Sequence, residues 1–494
     1  MTAELYNRAA VAALRLALPV GFAANQWDTT ATLRRQLWLP ALEDQMTISV
    51  LRIVTRLALS AAVTVAALAS FPTSVSAQIP QGWEANDMHP IGYSDLDGRG
   101  GAFKMAIKRV GDRWYLYMGH LWHRGWSIVD VTDPTNPTVA KFIPGPDNTW
   151  TIQMELHDNL MVTALEKAGA RWGLDPDKPA EEGVLLWDIS DPLNPRQLSH
   201  WRTGSIGTHR NGYPGGRYVN LAARQPGYDG EILIFLDVSD PRNPKEAGRW
   251  WMPGQKEGEP RLPQGTAIHG PAMIDGDRAY VGYGSAVVIL DISNIAAPKL
   301  IGKLEYSPPF RGGDLGVHSV QPIPGRNLLF ANSEGTGGDA GNAPACGGPM
   351  DHASLVDISN PARPRLISIF PVPVPPATKP YKTFCAKGSR FGPHNTNTLQ
   401  HLPDVEKQVN LVYLTYFNAG LRIFDITEQY LPREVGWFIP PTPTKRLGPV
   451  PVPLESQVED VLVDTRGNIY ITDKQWGLWV LRYTGQGQPA PTAQ

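Results

Sequence analysis

The chain lacks most of the features that would place it quickly. It has 494 residues but only two cysteines, Cys346 and Cys385, and neither stands in a C-x-x-C spacing. That excludes a disulfide-dense scaffold and a thiolate zinc site. The formal net charge is -2, so no basic face is implied and nucleic acid is not an expected partner. The one apolar run that stands out, residues 57–70, is too short for an easy membrane span. No nucleophile elbow, phosphate-binding loop or dinucleotide fingerprint stands in a convincing context. What the chain does have is 48 glycines and 46 prolines. That composition fits many turns and short strands better than long helices.

The apolar run follows a basic flank that begins at Met46 and contains Arg52 and Arg56; small residues stand at Val75 and Ala77. This is the layout of a secretory signal peptide over 46–77, with Gln78 as the expected mature N-terminus. The alternative is an uncleaved anchor. Residues 1–45 are then an over-extended start outside the mature protein. The expected location is periplasmic or secreted, with no stable membrane insertion after cleavage. In an oxidising compartment Cys346 and Cys385 are able to form one disulfide; two unpaired thiols are the other reading.

From Trp126 onward one object recurs: an apolar run, an Asp, a small polar turn, then Pro. Trp126-Ser-Ile-Val-Asp-Val-Thr-Asp-Pro-Thr-Asn-Pro137 is the first copy, and five more end their apolar runs at Asp188, Asp237, Asp291, Asp357 and Asp425. The gaps between successive Asp residues, starting from Asp130, are 58, 49, 54, 66 and 68. Each period has room for an earlier pair of strands and a following one, which makes a four-stranded antiparallel propeller blade. Asp-Pro and Asn-Pro clusters stop a strand and fix a turn, and the Asp is expected to accept backbone hydrogen bonds there. Seven blades can be counted, which predicts an all-β, seven-bladed β-propeller over 78–485 and a disordered tail over 486–494. The last blade lacks its fourth strand. Residues 89–95, beginning His89-Pro-Ile-Gly-Tyr, are similar to Pro298-Lys-Leu-Ile-Gly-Lys and are expected to supply it and close the ring.

The turn-and-strand unit resembles the LVIVD-repeat family of β-propellers, over roughly residues 89–483. The resemblance implies the fold strongly and a function weakly.

The first strand of each blade lines the channel of a propeller. His209, His269, His318 and His394 fall at the matching point of blades three to six, after a small residue. The same frame reaches Glu459 in blade seven and Lys104 in blade one, and lands near Trp150 in blade two. Four of the chain's eleven histidines in register suit copper, iron, manganese or zinc; packing in a hydrated channel is the alternative. Glu459 is a candidate base or orienting group. Lys104 is a candidate base or anion ligand, with a Lys104–Glu459 salt bridge as the plainer reading. Loops after the second strands should rise over the same face. They bring His120, His123, Glu166 and Arg171 as substrate or lid candidates. In plan this is similar to the carotenoid-cleaving oxygenases and to the selenium-binding protein and methanethiol oxidase family, whose sequence motifs are absent here. The expected function is an exported metal-dependent enzyme, an oxidoreductase or a lyase or hydrolase, acting on a small organic molecule. The alternative is a non-catalytic cell-envelope module that binds a protein or glycan.

Overall fold

The computed structural model describes residues 78–260, 267–307, 316–335, 352–448 and 453–485. The expected over-extended start, the signal peptide, the tail and Cys346 lie outside the described residues. Seven four-stranded antiparallel sheets follow one another along the chain. Blades one to five occupy residues 102–144, 154–201, 207–250, 273–305 and 317–369. Blade six contributes Leu411–Thr415, Leu421–Asp425 and Arg433–Ile439, and blade seven Val458–Val463, Ile469–Asp473 and Gly477–Tyr483. The middle strands are apolar throughout and buried on both faces, as in Ile232–Asp237 and Ala286–Asp291. Outermost strands such as Thr138–Pro144 are largely open to solvent.

The repeated Asp does what its position requires. Asp130, Asp188, Asp237, Asp291, Asp357 and Asp425 each accept, through Oδ1, the backbone N–H two residues on, at 2.8–2.9 Å. This Asx turn ends the strand without orphaning its backbone. A second such turn follows at once: Asp133, Asp191, Asp240, Asn294 and Asn360 each accept the N–H two residues further along.

The ring closes through the N-terminal segment, and more fully than its sequence suggests. Strand β2, Met88–Ser94, pairs with Gly477–Tyr483 and completes blade seven. Its register shifts between Pro90 and Gly92, as that of blade four shifts between Ile289 and Leu290 opposite Gly302. The shared glycine has a steric cause. A Cβ on Gly302 would come within 2.2 Å of the Pro361 carbonyl oxygen in the next blade's turn. At Gly92 it would meet the Pro134 carbonyl oxygen of blade one at the same 2.2 Å. The Ile-Gly likeness therefore marks a blade-to-blade contact. Just before it, strand β1, Glu84–Asn86, adds to the outer edge of blade six by pairing with Trp437, Phe438 and Ile439. It is the fourth named strand of that sheet, since the innermost segment of blade six is held by the bridge of Thr396 to Leu414 and a few backbone hydrogen bonds. Blade four also differs from expectation. Its first strand is regular only over Met273–Asp275, and residues 267–272 run irregularly through Gly270 and Pro271, with one bridge at Ile268.

Candidate metal centre

Four of the axial residues sit on β-bulges, whereas His269 and His394 lie on irregular inner segments. The register of the first strand shifts between Thr208 and Arg210, between Val317 and Ser319, between Val458 and Asp460, and between Ala102 and Met105. His209, His318 and Glu459 are the extra residues at three of these shifts, and Lys104 lies within the fourth. A bulge leaves one residue out of the ladder and re-aims its side chain, here toward the axis. In blade two the bridge of Trp150 to Glu166 and the pairing of Met154 with Thr163 leave the extra residue near Ile152. The frame thus lands two residues beyond Trp150, on an apolar side chain.

The four imidazoles stand side by side. Ring centroids are 4.6 Å apart from His209 to His269, 4.6 Å from His269 to His318 and 4.7 Å from His318 to His394. Burial drives His269, His318 and His394 well below the ordinary histidine value, reinforced by neighbouring histidines and by Arg210 and Arg390. They are neutral at pH 7, the form that ligates a metal. His209 differs. Burial opposes its protonation, but Glu166 faces it, with Oε2 2.7 Å from His209 Nδ1, and raises it.

Glu334 is the site residue missing from the sequence-based set. Its Oε2 lies 3.3 Å from His269 Nε2 and 3.4 Å from His318 Nε2, and its Oε1 lies 3.8 Å from His394 Nε2. Arg390 pairs with the Oε1 side. Oε2 is buried and makes no hydrogen bond to any described residue. One carboxylate oxygen and two imidazole nitrogens therefore converge within ligand-forming distance of one another. The signal was positional. Glu334 is the first residue after its blade's second strand, and so are Glu166 in blade two and Lys474 in blade seven.

The remaining candidates divide. The Glu459 carbonyl faces His394 Nδ1 at 2.8 Å and accepts its proton, which leaves Nε2 with its lone pair. The Glu459 carboxylate lies 3.2 Å from Lys474 Nζ. Lys104 is directed beneath the histidines. Its Nζ donates to Thr398 Oγ1 at 2.9 Å and lies 3.6 Å from Asp460 Oδ1, so its ion-pair partner is Asp460 and not Glu459. His120 is turned into blade one, with Nδ1 3.2 Å from the Gly100 carbonyl and Nε2 2.8 Å from Ser127 Oγ, and it offers no free nitrogen to a substrate. Burial pushes its ring down to about 3. His123 is half-buried at the outer end of the same loop. The side chain of Arg171 lies outside the described residues. Cys385, on the short helix Phe384–Lys387, is disulfide-bonded.

Aromatic side chains flank both ends of the histidine arc. Phe417 stacks on His394 at 4.5 Å and Phe103 meets it edge-on at 5.6 Å. Phe417 holds φ at 44°, a left-handed conformation that costs a bulky residue about 1–3 kcal/mol and is found mostly at functional sites. At the other end Trp150 lies 6.1 Å from His209 and packs against Trp172 at 4.7 Å. Trp172 comes from the loop of blade two, which rises over this face as expected. Arg210 lies directly below, with Nη1 3.2 Å from His318 Nε2.

Fold and site together define a seven-bladed β-propeller with a buried, polar axial cluster. The family model "LVIVD repeat" matches residues 272–305 and 354–371, in blades four and five. Among solved structures, the chain is similar to the β-propeller domain of Myceliophteria thermophila Cps50 (Swd1). The TM-score is 0.45 at 12% identity, covering 78% of this chain and 97% of that one. It is also similar to a protein from Lactobacillus plantarum, with TM-score 0.46, 12% identity, and 78% and 96% coverage. No curated protein sequence matches the chain.

Proposed function

We propose that the chain is an exported metal-dependent enzyme that acts on a small organic molecule, with a transition metal held on the propeller axis. His209, His269, His318 and His394 are the proposed ligands, and Glu334 joins them. The observation that carries this reading is the convergence of Glu334 Oε2 with His269 Nε2 and His318 Nε2 without a hydrogen bond to the carboxylate oxygen. A buried carboxylate oxygen facing imidazole nitrogens is costly unless a proton or a cation is shared among them. Copper, iron, manganese and zinc all suit such a donor set. A metal there would polarise a substrate or activate water or oxygen. Glu166 orients His209 through its Nδ1 and the Glu459 carbonyl does the same for His394, the usual device for fixing a ligand's tautomer.

Elemental analysis of protein purified from residue 78 onward, made under metal-replete conditions, is the direct test. Stoichiometric metal is expected in the wild type, and its loss in His269→Ala and Glu334→Gln. Glu166→Gln is expected to weaken binding by about 10–100-fold. A wild-type protein without stoichiometric metal would sink the proposal.

A further inference from the structure

Three to four residues beyond the histidines, the inner strands end at a second cavity. At about 3.3 Å per residue this lies on the order of 10 Å away, at the other mouth of the channel. The cavity has a volume of about 510 Å³, within the range of small-molecule sites. Blades two to six all contribute to its lining, and its polarity is graded.

Three of its lining groups present acceptors. Glu155 is 3% exposed, and its Oε2 accepts the Tyr213 N–H at 2.6 Å. Gln321 Oε1 is buried without a hydrogen-bond partner among the described residues. His401 bonds the Tyr213 backbone through one ring nitrogen, and its Nε2 is buried without a partner. Burial, then the neighbouring His157, holds His401 down to about 4, so at pH 7 that nitrogen presents a lone pair. Burial also pushes the Glu155 carboxyl up to about 7, against the pull of Lys104 and Arg210.

The rim has the opposite sign. Arg278 and Lys407 are exposed there, against one rim carboxylate, Asp275. Arg326 is also at the rim but is tied to the carbonyls of Val409 and Ile426. Between floor and rim stand Met273, Ile274, Ile323 and Ile358, with Tyr213 and Tyr280 beside them.

We propose that this cavity binds a zwitterionic amino acid with an apolar side chain. The ammonium group donates to Glu155, Gln321 and His401, the side chain packs on the isoleucine and methionine wall, and the carboxylate faces Lys407 and Arg278. Glu155, Gln321 and His401 all line the cavity and present acceptors, which suits a donor group such as an ammonium. A polycation is disfavoured by the rim, and a simple anion by the floor.

Calorimetric titration with L-leucine and L-phenylalanine tests this. N-acetyl-L-leucine, which lacks the ammonium, and L-leucinamide, which lacks the carboxylate, serve as controls. Saturable binding of the two zwitterions is expected, with each blocked analogue at least about tenfold weaker. Glu155→Gln, Gln321→Leu and Lys407→Ala should each weaken L-leucine by a similar factor. If Glu155→Gln does not fold, the other two variants and the analogue series decide. No saturable heat at millimolar ligand, or equal binding of the blocked analogues, overturns the proposal. His269→Ala is expected to keep leucine binding while losing metal, so failure at one mouth is distinguishable from failure at the other.

Discussion

At the scale of single residues, the most repeated interaction is the Asx turn that ends each blade's third strand. Asp188 and Asp357 are held down to about 2 from an ordinary value of 3.8 by the hydrogen bonds of Ser190 and Ser359, and then by Arg196 and Arg365. A carboxylate depressed in the folded state stabilises the fold fully above its unfolded value, and that stabilisation is lost as pH falls through the folded one. Asp357→Ala is therefore expected to cost about 1–2 kcal/mol near neutrality. The gap between variant and wild type in urea unfolding should close between pH 4 and pH 2. A gap that stays constant over that window would remove the charge from the explanation. Glu334 shows what a residue-level sequence argument misses. It looks like the first residue of a loop, and only the register between first and second strands brings its carboxylate to the histidines.

At the scale of elements, the bulge and the outer-strand glycine do the positioning. The bulge was legible only indirectly, since of the four recurring histidines His209 and His318 sit on it and His269 and His394 reach the same place from irregular segments. In blade two the extra residue falls near the apolar Ile152, and with no polar residue to mark it the sequence frame landed near Trp150. The glycine was legible only as a likeness between residues 89–95 and 298–304. Its physical content is the adjoining turn. In blade three a Cβ on Gly248 would sit 1.9 Å from the Ile295 carbonyl oxygen. Gly248→Ala is accordingly expected to lower stability by about 1–3 kcal/mol, as overpacking does, measured as a drop in the urea midpoint. Strand β1 was not legible at all. Glu84-Ala-Asn86 has no alternation and no turn signal, and its place is set by backbone pairing to Trp437–Ile439. Removing residues 80–97 should leave bare edges on blades six and seven and markedly lower the thermal midpoint. A synthetic peptide of the same span should restore it in trans. An unchanged midpoint would mean that neither strand matters to closure.

At the scale of the whole molecule, the proposed metal site and the proposed amino-acid site draw on the same inner strands. His269, His318 and His394, whose proton affinities burial lowers, stand early in those strands, and the cavity lies three to four residues further on. Arg210, Lys104 and Asp460 form the buried charged layer between them. The fold could be read from sequence because turn chemistry repeats literally, six times over. The lower cavity could not, because its floor draws one or two residues from each of several blades, and none of them recurs. The two N-terminal strands also bear on how the molecule comes into being. Met88 pairs with Tyr483 and Glu84 with Ile439, so the contacts that seal the ring join strands far apart in sequence. Such distant pairings form slowly. Any product cut short in synthesis, however complete its early blades, holds half of a clasp and exposes the unpaired edges that proteases and aggregation exploit. A finished surface thereby depends on the N-terminal strands and the last two blades being present together.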